Sequence, residues 1–217
     1  MPWPMVHFAV AEKISLSNPS PELLLGSISP DAIHARDPVT RAEKGLTHWV
    51  VDGRFPSFEA LKMNCIAYWN KHGNAEWKEF VRGYFAHVYT DIRWTETLYA
   101  DFEKAYAGDS SEIRDTYNAE VSQVEFDLLR SADWADQVIA KLRLAHSFAM
   151  DPFVTHEEVS RYRDTKINWL LNPSDEPGIV TRYFQEDRVN RFIEQTSNEF
   201  IALFDGWKID SERSLQP

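Results

Sequence analysis

The chain has 217 residues, 34 acidic against 23 basic side chains (formal charge −11), a 43% hydrophobic content and eight Trp. That length and apolar content suit one large domain with a substantial core. The net negative charge argues against binding nucleic-acid backbones or adsorbing to anionic membranes. A lone Cys65 excludes an internal disulfide and a cysteine zinc knuckle, and reads as a small buried hydrophobe.

The opening stretch MPWPMVHFAVAEKI has no basic leader and no long apolar region, so no signal peptide is expected. No run approaches the roughly 18 apolar residues of a membrane span. A cytoplasmic location follows as an expectation. Within this stretch residues 6–14 predict a first helix, ended by the turn-prone SNPSP at 17–21. PELLLGSISPDAIHARDP then predicts a short apolar helix broken at Gly26 and at Ser29-Pro30, because the residue before a proline is biased away from the helical region.

A polar stretch follows, and GLTHWVVDGRFP reads as a loop or a single turn around His48. Residues 56–73 predict a helix capped by Ser57 and closed at Gly73. The next helix is expected from about Asn74 to Ala107, with Trp77, Phe80, Tyr84, His87, Val88, Asp91, Trp94 and Leu98 on one face at three- and four-residue steps. Further helices are expected at 110–131, 133–150, 155–171 and 187–206, with a surface loop at 170–180 and a frayed tail SERSLQP. The expected architecture is an all-α, single-domain multi-helix bundle spanning 1–217.

Of the seven histidines, His34, His72, His146 and His156 have polar neighbours or lack partners in a recognisable spacing. The other three differ. His87 and Asp91 stand at i and i+4, which places both side chains on one helix face about 5–6 Å apart at Cβ. His7 lies among Val6, Val10 and Ile14, Asp31 follows the apolar GSISP, and His48 is flanked by Leu46 and Trp49. A carboxylate in such surroundings is costly to bury unless something compensates it. Imidazoles and carboxylates together suit zinc or a related first-row dication. Five such ligands exceed one tetrahedral site and suit two ions sharing a carboxylate, an arrangement that can clamp a phosphoryl group.

LLLGSISPDAIH, KGLTHW and GYFAHVYTDIRW, preceded by a histidine in a short first helix, resemble the zinc-dependent phospholipase C family, related to the trinuclear-zinc P1-type nucleases. The resemblance covers residues 3–94 and rests on ligands in the order His, Asp, His, His-x3-Asp. It implies an all-helical metallohydrolase fold in which Asp31, His48, His87 and Asp91 hold one zinc. His7 would belong to a neighbouring ion that shares Asp91, and Asp31 would double as the general base orienting the attacking water. The activity implied is hydrolysis of a phosphoester or phosphodiester by a bound hydroxide, on a small-molecule substrate. Zinc is the expected metal, as one or two ions, with Mn, Fe or Ca as alternatives.

The chain also departs from the family. Secreted members begin at a tryptophan that binds zinc, and Trp3 stands near that place without a signal peptide before it. The family's His, His-x3-Glu pattern does not follow Asp91, so a full trinuclear site is not expected. Glu120 and Asp127, seven residues apart on one helix face, are candidate replacements, with Asp127 the better sixth ligand. Arg36, Arg82 and Arg93 are the cations expected nearest a phosphate, although surface salt bridging suits each. The alternatives are a nucleotide phosphohydrolase of the HD type and a non-catalytic helical domain with a structural metal.

Overall fold

A computed structural model describes residues 2–209; the tail expected to fray lies outside the described residues. The described chain is all-helical: ten α-helices, short 3₁₀ and π segments, and no strand beyond two isolated bridges, Val51 with Arg54 and Met150 with Val154. No described helix is long and apolar enough to cross a membrane.

The helices are α1 (Pro4–Ile14), α2 (Pro21–Gly26), α3 (Arg41–Thr47), α4 (Phe58–Trp69), α5 (Ala75–Trp94), α6 (Ala100–Ala105), α7 (Ile113–Ser131), α8 (Ala135–Leu144), α9 (His156–Leu170) and α10 (Glu186–Gly206). Pro30 stops a helix from continuing out of α2, and the chain passes instead into a 3₁₀ segment, Ser29–Ala35, which carries Asp31. Where a loop around His48 is expected there is α3, opened by a reciprocal capping box between Thr40 and Glu43. The 56–73 helix ends early, at Trp69, and the 133–150 helix stops at Leu144 before an irregular stretch.

Helix α5 is the axis of the molecule. Between Phe80 and Ile92 only Arg82 is not buried, so the predicted single apolar face is in fact a helix packed almost all round. Helices α1, α2, α4 and α10 and the 3₁₀ segment pack against it. Each fully buried Phe or Leu contributes about 1.5–3 kcal/mol by leaving water, and Phe80, Phe85, Leu23 and Leu24 are all in this class.

The closest crossing is α2 over α5. A Cβ on Gly83 would lie 2.2 Å from the Leu23 carbonyl oxygen, and one on Gly26 would lie 2.1 Å from that of Phe80. Two glycines therefore let backbone meet backbone. Past Trp94 the helix loosens into a π turn, Thr95–Tyr99, before α6. The Thr95 hydroxyl donates to the Asp91 carbonyl and that of Thr97 to the Arg93 carbonyl, competing with the helical ladder where it widens.

Candidate metal centre

Each side chain of the centre is aimed by an identifiable local device. His87 and Asp91 project from α5 one turn apart, and the Gly26–Gly83 crossing brings the Ser27 carbonyl within 2.8 Å of His87 Nδ1. His48 occupies the C-cap of α3. Its Nδ1 lies 2.8 Å from Thr47 Oγ1 and 3.1 Å from the Lys44 carbonyl. The Tyr84 hydroxyl donates to the Thr47 carbonyl, which ties the end of α3 to α5. His7 comes from α1, its ring stacked on His87 at 3.9 Å between centroids. Asp31 enters from the 3₁₀ segment, with Lys44 Nζ 3.0 Å from its Oδ1.

These contacts fix the protons. The Ser27 carbonyl can only accept, so His87 carries its proton on Nδ1. The Thr47 hydroxyl donates to the Lys44 carbonyl, which leaves its oxygen to accept from His48 Nδ1–H. That leaves the Nε2 of each ring as the atom turned toward the centre, and the two Nε2 atoms lie 3.1 Å apart. Asp91 Oδ2 lies 3.1 Å from His48 Nε2 and 3.5 Å from His87 Nε2, and Asp31 Oδ1 lies 3.7 Å from His48 Nε2. His7 Nε2 is 3.6 Å from the other oxygen of Asp91. Tetrahedral bonds of about 2.0–2.1 Å separate ligand atoms by about 3.3 Å. The spacing of the His48, His87, Asp91 and Asp31 donors falls around that value.

The electrostatics agree with the geometry. Both oxygens of Asp91 and both ring nitrogens of His7 are buried without a hydrogen-bond partner, a state that normally costs free energy and demands compensation, while Asp31 Oδ1 has the Lys44 ammonium beside it. Burial opposes ionisation of Asp91, but His87 and His48 beside it hold its carboxyl well below the usual range. Burial likewise opposes ionisation of Asp31, and Lys44 followed by the two imidazoles pulls it down. Burial and then His87 push His7 toward the neutral form, whereas at His87 the charge of Asp91 outweighs burial and raises the pKa. Two overlapping triads can each supply ligands to one ion: His7, His87 and Asp91, and Asp31, His48 and His87.

The structure thus gathers His7, Asp31, His48, His87 and Asp91, but not Asp127. The Asp127 carboxylate is 40% exposed and accepts from Gln123 and Arg130. It faces outward because the apolar side of α7 is the one holding Val121, Val124 and Leu128. Glu120 is no ligand either: its carboxylate accepts the backbone amides of Arg182, Tyr183 and Phe184, pinning the segment before α10. The most deeply buried acid of α7 is Glu125, which accepts the Met5 amide and so caps α1 from across the core. Burial pushes its carboxyl up to about 8. Its position between Val124 and Phe126 was the available signal.

Arg36, Arg82 and Arg93 do not face the centre. Arg36 forks onto Glu158, Arg82 donates to the Ile14 carbonyl, and Arg93 binds Glu199 and Glu96. The nearby cations are Lys44, which opens the KGLTHW stretch but is not singled out in it, and Lys166, which no motif marks. They line a cleft of about 280 Å³ together with Asp31, His34, Trp3 and Tyr162. On the other flank of Lys44 a larger, mainly apolar cleft of about 710 Å³ is lined by His48, Leu46, Val50 and Phe55. Compared with protein-family models, curated proteins and solved structures, the chain matches none.

Proposed function

We propose that this protein is a metal-dependent hydrolase of phosphoesters, related to the zinc-dependent phospholipase C family, with its metal centre at His48, His87, Asp91 and Asp31. The observation that carries the reading is the pair of imidazole Nε2 atoms 3.1 Å apart beside the buried Asp91 oxygens, which lack a hydrogen-bond partner. A cation satisfies all of them at once. Nitrogen and oxygen donors in this ratio favour zinc or another first-row dication over calcium.

His48, His87 and Asp91 are the fixed ligands, since hydrogen bonds or the rigid axis of α5 aim each of them. His7 abuts the second oxygen of Asp91, where it orients that carboxylate or takes a second ion. When bound, the metal supplies Lewis acidity and a water deprotonated near neutral pH. Asp31 lies on the cleft side of the ligand set with 12% of its side chain exposed. Lys44 keeps it ionised, so it is placed to orient the water and accept its proton. The apolar cleft beside His48 suits the organic part of an ester.

The test is a panel of phosphomono- and diesters assayed with zinc-, manganese- and iron-loaded protein, using Asp31→Asn as the diagnostic variant. Asn keeps the shape and a ligating oxygen but cannot take a proton. The expected outcome is a fall in turnover of about 100-fold or more with metal content near wild type, in line with the usual weight of a general base. Loaded protein inactive on every ester, or a D31N variant as fast as wild type, would contradict the assignment.

A further inference from the structure

The cleft beside Asp31 holds two lysines in a chain rich in acids, and one of them is left without an acid partner. Lys166, on α9, makes no ion pair among the described residues. Its ammonium sits instead among aromatic faces, 5.0 Å from the Trp3 ring, 5.4 Å from Tyr162 and 5.3 Å from Trp169. Such faces hold a cation in place without cancelling its charge. Asp31 and the buried Glu125 are close enough to influence it, but neither bonds to it. An ammonium that is partly desolvated and left unneutralised is costly unless an anion arrives to meet it.

We infer that this cleft is an anion subsite shaped for a dianionic phosphomonoester, with Lys44 and Lys166 supplying the charges that receive it. The inference rests on the metal reading of the centre. A dication there is balanced by Asp31 and Asp91, so the charge of Lys44 is left as net positive charge of the cleft and adds to that of Lys166. Two lysine charges then face the cleft, which matches the two charges of a phosphomonoester rather than the one of a diester. His34, 3.9 Å from Asp31 and 44% exposed at the rim, is displaced toward its neutral form by burial and adds a hydrogen-bonding group rather than a charge. The volume of about 280 Å³ is just under the span of roughly 300–1,000 Å³ that holds drug-sized ligands. That space fits a phosphoryl group with a small alcohol. It does not fit a second bulky ester arm.

Isothermal titration at pH 8 tests the assignment, using zinc-reconstituted wild type, Lys166→Gln and Lys166→Arg, with metal content measured on each sample. The probes are inorganic phosphate, phenyl phosphate and the monoanionic diester diphenyl phosphate. Wild type should bind phosphate and phenyl phosphate at least about tenfold more tightly than the diester, the scale of one charge-assisted contact. K166Q should lose about tenfold toward both dianions with metal content unchanged, and K166R, which keeps the charge, should recover most of it. K166Q binding the dianions as well as wild type would overturn the subsite, as would a diester bound as tightly as the monoester. The two readings fail distinguishably. Wild type that takes up no zinc defeats the metal reading and the subsite with it, whereas zinc-loaded wild type whose phosphate binding is unchanged in K166Q defeats the subsite alone.

Discussion

The His/Asp centre on α5 and the acidic network on α7 both gather carboxylates, but they treat them in opposite ways. On α7 both carboxylates considered as ligands are already answered: Glu120 by three backbone amides and Asp127 by Gln123 and Arg130. On α5 the oxygens of Asp91 are buried without a hydrogen-bond partner, and the imidazoles around them turn their Nε2 atoms inward. Satisfied polar groups hold a fold together, whereas a cluster of unsatisfied ones of complementary chemistry is what a bound ion could satisfy.

The largest expected effect attacks the frame that aims the centre. Gly83→Leu would force a side chain into the Leu23 carbonyl and the Ser27 amide, 2.2 and 2.8 Å from its Cβ. Backbone cannot yield there, so a loss of about 5 kcal/mol in urea unfolding, or failure to fold, is expected. A cost under about 1 kcal/mol would mean that the α2–α5 crossing is looser than described.

Glu125 sharpens the contrast from the other side, as a buried acid that prefers its proton. Its folded pKa of about 8 stands above the ordinary 4.5. The protonated fold is therefore favoured, in full below the ordinary value, and this contribution is lost as pH rises toward 8. Asp31 and Asp91, held low, contribute with the opposite sign and weaken the fold only as pH falls. Metal-free wild type should lose on the order of 3 kcal/mol relative to Glu125→Gln between pH 5 and pH 8. Parallel stability curves for the two proteins would refute the assignment. The smallest effect belongs to the surface network: Asp127→Ala should change stability by less than about 1 kcal/mol and leave metal content untouched.

Most of this centre was readable in one dimension. His87 and Asp91 share a helix face by spacing alone, and His7, Asp31 and His48 each interrupt an apolar run where a polar group needs a reason. Asp127 misled because spacing reports which residues share a face, not whether an arginine or an amide from elsewhere already meets them. The same limit hid the placement of Lys44 and Lys166, whose cleft is assembled from the residues just before α1, the 3₁₀ segment, α3, α7 and α9. Helix α3, by contrast, was there to be read, since Thr40 and Glu43 spell its capping box. The π turn depends on hydroxyls bonding back to carbonyls four residues earlier, a competition that composition does not forecast.

The most direct measurement is the metal content of the purified, reconstituted chain by elemental mass spectrometry, run beside Asp91→Asn and paired with thermal unfolding. The account predicts at least about one first-row dication per wild-type chain, with added metal stabilising it by roughly 2–3 kcal/mol at a hundredfold excess over Kd. Asp91→Asn should lose both the ion and the stabilisation. Wild type that stays metal-free and melts identically with and without zinc, or a D91N variant that keeps a full complement, would contradict it.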